Sequence, residues 1–104
     1  MDNKIIFFDN SIEKFILKLE KETIAKILKT IDLLEKFGSR LELPHSRKVD
    51  KNLFELRIYG HQKIRIFYTF SNKAIVLLHI FLKKTSQTPK KELKTANLKM
   101  KRLR

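Results

Sequence analysis

Apolar residues recur at every second position along much of the segment between Leu53 and Leu82. A period of two is typical of β-strands, whose successive side chains point to opposite faces of a sheet. Turn segments at residues 60–62 and 71–73 divide the segment into three strands. Strands joined by such short turns pair antiparallel, so the pattern predicts a three-stranded meander. The last stretch, Ala74–Leu82, is apolar almost throughout and is therefore expected to be a central strand.

The segment before the meander follows a helical period instead. Its apolar residues are Ile12, Phe15, Ile16 and Leu19, followed by Ile24, Ile27, Leu28, Ile31 and Leu34. This spacing of i, i+3, i+4 and i+7 predicts two amphipathic helices. Asn10 or Ser11 is expected to cap the first helix, and Phe37 with Gly38 should end the second.

The remaining segments complete the predicted fold. Residues 4–8 form a short apolar run that predicts a first strand, and the polar residues 38–52 predict a loop. Pro89 is expected at the first position of a basic final helix with a thin apolar stripe. We therefore expect an α+β fold of order β-α-α-β-β-β-α, with a four-stranded, mainly antiparallel sheet and the two early helices on one face.

The charge of the chain indicates the kind of partner. Its 104 residues, expected to form one domain over 1–104, include 24 Lys and Arg against 11 Asp and Glu, a formal net charge of +13. Such an excess favours polyanions, with nucleic acid the first candidate, an anionic membrane surface the second and an acidic protein the third. Residues 83–104 hold nine of the Lys and Arg and one acid, Glu92, so we expect this tail to contact RNA phosphates.

Location follows from what the sequence lacks. The chain has no cysteine, its first residues do not read as a signal peptide, and no apolar stretch approaches the roughly 20 residues of a membrane span. We therefore expect a cytoplasmic protein that does not enter a membrane.

The expected strand register brings cationic residues together. If residues 60–62 form the first turn, Ile58 faces Ile64 and Arg57 faces Arg65. If residues 71–73 form the second turn, Arg65 in turn faces His79. This row would lie on the face away from the two early helices. Because directly opposed like charges are unfavourable, the row suggests a bound anion, and a phosphate fits two guanidinium groups well.

These residues could cleave RNA without a metal or another cofactor. Cationic groups would stabilise the charge that develops on phosphorus when the 2′-hydroxyl attacks. Lys83 and Lys84 follow the last strand, and His79, Glu55 or a lysine of lowered pKa could transfer the protons. No set of carboxylates has the spacing of a metal site, so we expect no metal.

Structural roles are the alternative for the same residues. The arginines could be solvated strand residues, His79 could be a core histidine, and Glu55 could pair with a lysine. Tyr59 and Tyr68 could pack in the protein or contact bases, and the apolar pattern favours the core for Tyr68.

Two stretches of the chain resemble a known family. LFELRIYGHQKIRIFYTF and IVLLHIFLKKTSQTPKKEL, spanning about residues 53–93, are similar to the phage-related HigB-type branch of the RelE toxin superfamily. Members typically contain an LxELR strand, a YRxFY strand and the motif LLHxFxKKTxxTPxxE. The present chain differs in having Ile64 before Arg65, and no tyrosine follows Tyr68.

The resemblance implies a toxin of a type II toxin–antitoxin system that cleaves messenger RNA on the ribosome. Such toxins are neutralised by a helix-turn-helix antitoxin of the HigA type, in a toxin–antitoxin complex. Position by position, Arg57, Arg65 and Lys84 match the basic residues of the family, and Lys83, Thr85 and Pro89 match its KKT…TP motif.

We therefore predict a ribosome-dependent endoribonuclease that inhibits translation. The predicted catalytic residues are Arg57, Arg65, Lys84 and His79, and the predicted RNA-binding residues are Glu55, Lys63, Lys83, Lys90 and Lys91. The alternatives are a non-catalytic RNA- or DNA-binding module that regulates translation or transcription, and an interaction protein whose charge serves only an acidic partner.

Overall fold

The computed structural model describes residues 3–103, so Arg104 of the predicted tail and the first two residues lie outside the described part. The strands are β1 (Lys4–Phe7), β2 (Ser46–Asp50), β3 (Leu53–Ile58), β4 (Ile64–Ser71) and β5 (Ala74–Leu82), and the α-helices are α1 (Ser11–Leu17), α2 (Lys21–Phe37) and α3 (Lys90–Lys101). A 3₁₀ turn, Gly38–Arg40, follows α2. The α+β class is confirmed, and the element order differs from the prediction by one additional strand.

The strands form one mixed sheet in the order β1-β5-β4-β3-β2. β1 is parallel to β5, and the other neighbouring pairs are antiparallel. The prediction that β5 lies inside the sheet is confirmed, because β1 and β4 flank it. The expected count of four strands is wrong, since the described residues form five.

The strand that the sequence analysis missed is β2, which lies within the predicted loop of residues 38–52. It pairs with β3 at the edge of the sheet, where Arg47, Lys48 and Asp50 are exposed. An edge strand needs no apolar alternation, and charged side chains at an edge hinder pairing with other chains. The charges that identify β2 as an edge strand therefore also made its sequence resemble a loop.

Helices cover both faces of the sheet. The first core contains Ile12 and Ile16 of α1, Ile27, Ile31 and Leu34 of α2, and apolar residues of β3, β4 and β5. The second core contains Ala96 of α3 with Leu53, Phe67, Val76, Leu78 and Phe81, and Leu93, Met100 and Leu103 pack against it. The predicted apolar stripe of α3 is thus confirmed. Leu28 of the predicted α2 stripe is the exception, because it is exposed.

The end of α2 is confirmed at the predicted position. Gly38 has a φ of +57°, in the left-handed region that favours glycine. A Cβ atom added there would clash with Asn3 Nδ2, so the position is also closely packed. Asn3 Nδ2 in turn donates a hydrogen bond to the Glu35 carbonyl oxygen at 3.2 Å, which ties β1 to the end of α2.

The register between β4 and β5 differs from the expectation that Arg65 faces His79. Arg65 faces Phe81 instead, and His79 faces Phe67. One cause is a two-residue turn in which Asn72 and Lys73 have φ values of +49° and +64°, as in the preferred hairpin turns. The second cause is a β-bulge at the Phe67/Tyr68 step, which shifts the pairing again.

Burial and a hydrogen bond hold Tyr68 in the core between β4 and β2, which confirms the packing role favoured from its pattern. Its side chain is 1% exposed, and its hydroxyl shares a hydrogen bond with Ser46 Oγ at 2.5 Å. Burial raises the pKa of Tyr68, and the Ser46 hydrogen bond opposes that rise only in part.

Substituting Tyr68→Phe should lower the free energy of unfolding at neutral pH by about 1 kcal/mol, because Ser46 loses its partner. Since the folded-state pKa of Tyr68 is raised, its stabilising contribution is present below the ordinary tyrosine pKa of about 10 and is lost as pH rises through the folded value. Denaturant unfolding across alkaline pH should therefore show the gap between the two proteins narrowing. A gap that stays constant would contradict this account of Tyr68.

Candidate functional site

Three arginines surround one buried carboxylate on the sheet face that α3 covers in part. Oε1 of Glu55 lies 3.3 Å from Arg47 Nε, 3.6 Å from Arg57 Nε and 3.8 Å from Arg65 Nε. The Glu55 side chain is 0% exposed, whereas those of Arg47, Arg57 and Arg65 are 45%, 18% and 3% exposed. Positive charge therefore exceeds negative charge within this cluster, and it is reachable from solvent at Arg47 and Arg57.

The strand register produces this arrangement. Arg57 of β3 faces Arg65 of β4, as predicted, and Arg47 of β2 faces Glu55 of β3. Residues two apart on a strand share a face, so Glu55 lies on the same side as Arg57 and one row away. The carboxylate thus lies among cations from three neighbouring strands and reduces the repulsion between the facing arginines.

Hydrogen bonding within the cluster is incomplete. Glu55 Oε2 accepts a hydrogen bond from Thr88 Oγ1 at 3.2 Å, and Arg65 Nη1 donates to the Ile64 carbonyl oxygen at 3.0 Å. Among the described residues, Glu55 Oε1, Arg57 Nε and Arg65 Nε are buried and have no hydrogen-bond partner. Their mutual contacts are ionic, with N–H groups that are still able to donate to an anion.

Tyr59 lies at the exposed side of the two facing arginines. The ring centre is 5.4 Å from Arg57 Cζ and 5.0 Å from Arg65 Cζ, within the range of cation–π contacts. The residue is 45% exposed, so its ring is available both to the arginines and to a bound molecule. The sequence left the role of Tyr59 open between packing and base contact. In the structure its ring packs on the two arginines and is also partly exposed to solvent.

Lys83 and Lys63 lie at the end of the sheet next to Arg65. The Lys83 N–H donates to the Lys63 carbonyl oxygen at 2.8 Å, which joins the residues that flank β4 and β5. Burial lowers the pKa of the Lys83 amine, and the positive charge of Arg65 lowers it further. Burial also lowers the pKa of Arg65, although the nearby Glu55 carboxylate opposes that shift.

His79 does not join the row of arginines. Its Nε2 lies 2.8 Å from Oε1 of Glu92 in α3, so the ring contacts an acid on the helix that packs against β5. His79 and Glu92 line a cavity with the exposed Lys84, next to Pro89 at the start of α3. Two of the four predicted catalytic residues, Arg57 and Arg65, thus lie together, while His79 and Lys84 share a neighbouring cavity.

Lys90 and Lys91 are exposed in the first turn of α3. Cations are unfavourable at the N-terminus of a helix, because the helix dipole is positive there. Neither lysine forms an ion pair within residues 3–103. Their positive charge therefore faces solvent beside Glu92.

Sequence reasoning missed Arg47 and Thr88. Arg47 lies on the edge strand β2, which was predicted to be a loop. The sequence analysis therefore predicted no strand register that would place Arg47 opposite Glu55. Thr88 belongs to the TP motif, but nothing in the sequence indicates that its hydroxyl donates a hydrogen bond to the buried Glu55.

In the part of the chain that the structure describes, no group of three or more His, Cys, Asp or Glu side chains could hold a metal ion. None of the helices described is long and apolar enough to cross a membrane.

The fold and this cluster define a small α+β protein with a strongly basic sheet face. The family model described as phage-derived protein Gp49-like (DUF891) matches residues 14–101, and the chain therefore belongs to that family. The Gp49-like family is associated with RelE-like toxins. No match was found among curated proteins.

Replacing Glu55 by Gln should destabilise the protein strongly, because the three arginines would lose the anion between them. Removing one partner of a buried charge cluster typically lowers the free energy of unfolding by about 3–5 kcal/mol. Glu42→Gln, at an exposed carboxylate, is the matched control and should change the same quantity by less than about 0.5 kcal/mol. Equal stability of the two variants in denaturant unfolding would show that Glu55 does not hold the arginines together.

Proposed function

We propose that this protein is the toxin of a type II toxin–antitoxin system and cleaves messenger RNA on the ribosome. The association of its family with RelE-like toxins supports the toxin role and suggests an antitoxin partner. The observation that carries the proposal is the facing pair Arg57 and Arg65, which share a sheet face with Arg47 and outnumber the single carboxylate there. A polyanion is the partner that relieves this excess of charge.

The proposed reaction is attack by the RNA 2′-hydroxyl on the adjacent phosphorus. The 2′-oxygen bonds to phosphorus while the bond to the 5′-oxygen breaks, giving a cyclic or 3′-phosphate and a 5′-hydroxyl. One proton leaves the 2′-hydroxyl and one reaches the 5′-oxygen, so atoms and charge balance without a cofactor. Arg57 and Arg65 stabilise the negative charge on the phosphoryl oxygens.

Glu55 takes a positioning role in this proposal. Because its carboxylate is fully buried, it does not contact RNA in the conformation described. It holds the arginines on one face until a phosphate binds, and the unpartnered N–H groups of Arg57 and Arg65 then donate to the phosphate. Arg65, with a side chain only 3% exposed, must shift toward Tyr59 to do so. Because Arg65 must move before it can bind a phosphate, we expect only weak activity on free RNA.

The proton transfers fall to the lysines that follow β5. Lys84 is the residue that the family resemblance assigns, and it lies exposed near His79. Lys83 has the additional advantage of a lowered pKa, which brings the amine closer to the pKa that suits a general acid near neutral pH. His79 contributes only if its contact with Glu92 opens.

The other lysines extend the proposed RNA contacts. Lys63 and Lys83 lie at the end of the sheet beside Arg65, and Lys90 and Lys91 project from the first turn of α3. Contacts of this kind position a protein on a phosphate backbone without reading the sequence. A protein that acts on translating ribosomes works in the cytoplasm, and we propose that location for this chain.

The second candidate is a non-catalytic RNA- or DNA-binding module that regulates translation or transcription. The near-complete burial of Arg65 against Glu55 favours it, because a buried arginine can serve stability alone. It predicts effects on gene expression without new RNA 5′ ends. The experiment that follows therefore separates the two functions.

Expression of the protein in a translating extract should produce new 5′-hydroxyl ends within messages, detected by end mapping. Arg57→Ala should reduce the cleavage rate about 100-fold or more, because one stabilising donor is lost from the transition state. Arg65→Lys should also reduce the cleavage rate, although it keeps a positive charge beside Glu55. Arg40→Ala, at an exposed arginine of the 3₁₀ turn, is the matched control.

Thermal unfolding of each variant establishes that it is folded before its activity is compared. Cleavage by folded Arg57→Ala and Arg65→Lys at the rate of Arg40→Ala would refute the proposed site. Absence of new message ends with the unsubstituted protein, despite inhibited translation, would refute the nuclease and favour the binding module.

If Lys83 donates the proton to the leaving oxygen, cleavage on programmed ribosomes should decline as pH rises through its lowered pKa, because the amine must be protonated. Lys83→Arg should lower the cleavage rate and abolish this decline, since a guanidinium keeps its proton over this pH range and is a poor proton donor. Lys84→Arg is the paired control and should leave the decline in place. An unchanged pH profile in Lys83→Arg, together with a shifted profile in Lys84→Arg, would assign the proton transfer to Lys84 instead.

A further inference from the structure

A basic groove lies beside Tyr59, between α2 and the end of β3. Its volume is about 200 Å³. Its lining residues are Lys26, Lys29, Thr30, Leu33, His45, Arg57, Ile58 and Tyr59. Arg57 and Tyr59 line the groove and also belong to the arginine cluster on the opposite face of the sheet, so the groove and the cluster meet at the edge of β3.

The fold explains why the groove is open at this point. Lys26, Lys29, Thr30 and Leu33 are spaced i, i+3, i+4 and i+7, so they lie along one face of α2. The last paired residue of β3 against β2 is Leu56, which faces Ser46. His45, which precedes β2, accepts a hydrogen bond at its carbonyl oxygen from Arg57 N–H at 2.8 Å, and the residues before His45 do not pair with β3. The end of β3, next to α2, therefore lies beyond the part of the strand that pairs with β2.

The groove has a uniform positive charge. No Asp or Glu lines it, and neither Lys26 nor Lys29 forms an ion pair within residues 3–103. The Lys26 amine lies close to the backbone after Tyr59, because a Cβ atom added to Gly60 would be 2.8 Å from Lys26 Nζ. The absence of a side chain at Gly60 lets this ammonium group approach the Tyr59 end of the groove.

We propose that this groove binds the single-stranded RNA segment that flanks the phosphodiester held by Arg57 and Arg65. Lys26 and Lys29 contact the phosphates of the flanking nucleotides, and Tyr59 stacks on the base between the groove and the arginines. The inference rests on the proposed function, since the arginine cluster defines where the RNA enters. It adds a substrate requirement, namely several unpaired nucleotides rather than a single phosphodiester.

The combination of charge and aromatic surface favours single-stranded RNA over other polyanions. Proteins that bind single strands join a cationic track to aromatic rings on which bases stack. Among the described residues the exposed aromatic rings are Phe37 and Tyr59, and only Tyr59 adjoins arginines. The lysines at the start of α3 have no exposed ring beside them, so they offer charge without stacking.

The test measures equilibrium binding of 2′-O-methyl RNA, which cannot be cleaved, to the full chain. An octanucleotide reaches the groove, whereas a dinucleotide occupies only the arginine cluster. Lys26→Gln with Lys29→Gln should weaken octanucleotide binding and reduce its salt dependence by about 1.4 in the slope of log K against log salt, at roughly 0.7 for each lost phosphate contact. Dinucleotide binding should be unchanged.

Lys21→Gln with Lys36→Gln is the matched control. It removes the same charge from exposed lysines of the same helix, outside the groove. Tyr59→Phe should bind the octanucleotide like the unsubstituted protein, and Tyr59→Leu should bind it at least about five-fold more weakly, because stacking is lost. Equal affinities and equal salt slopes for the two lysine pairs, or equal binding by Tyr59→Leu and Tyr59→Phe, would overturn the groove.

Message cleavage in the translating extract is an independent readout. If messages are cleaved but the groove variants bind RNA like their controls, the proposed role of the groove is refuted and the proposed nuclease activity is retained. If RNA binding depends on the groove but no new message ends are found, the groove is supported as an RNA-binding surface and the proposed nuclease activity is refuted.

Discussion

A single buried carboxylate makes this sheet face possible. Three neighbouring strands bring Arg47, Arg57 and Arg65 to the same side, and Glu55 provides the anion in contact with all three. Without it, facing arginines on adjacent strands would repel each other in a region of low dielectric constant. The carboxylate is itself held by Thr88, which precedes α3, so the helix and the charge cluster are structurally connected. The fold therefore carries an excess of positive charge on a packed face, where water can reach it only in part.

The sequence predicts the face but not the whole cluster. Alternation along β3 and β4 was enough to place Arg57 opposite Arg65, because apolar residues on one side fix the register between them. β5 is buried on both faces, so its nearly continuous apolar sequence contains no comparable information about register. The two-residue turn and the bulge then moved His79 out of the expected row and toward Glu92. Helices were predictable for the opposite reason, since their apolar stripes face one side only.

Edge position explains the other omission. β2 has one paired neighbour and exposed charges, so its residues follow the rules of a surface rather than those of a core. Arg47 belongs to this strand and contributes to the cluster only because β2 pairs with β3. Contacts that depend on pairing between distant segments, such as Arg47 with Glu55 or Tyr59 with Arg65, are decided by the tertiary structure. Charge and local period therefore indicate the kind of ligand, while the geometry of the site requires the assembled sheet.

The incomplete hydrogen bonding connects stability to the proposed activity. A buried charge cluster that had satisfied every donor would have little to gain from a phosphate. Here the Nε atoms of Arg57 and Arg65 lack hydrogen-bond partners within the described chain, and an exposed tyrosine ring lies beside both guanidinium groups. A phosphate that approaches along this ring can replace ionic contacts of 3.6–3.8 Å with direct hydrogen bonds to the same arginines. In the proposed mechanism, the internal acid holds the arginines in place for folding, and its long ionic contacts are exchanged for an external anion when Arg65 moves.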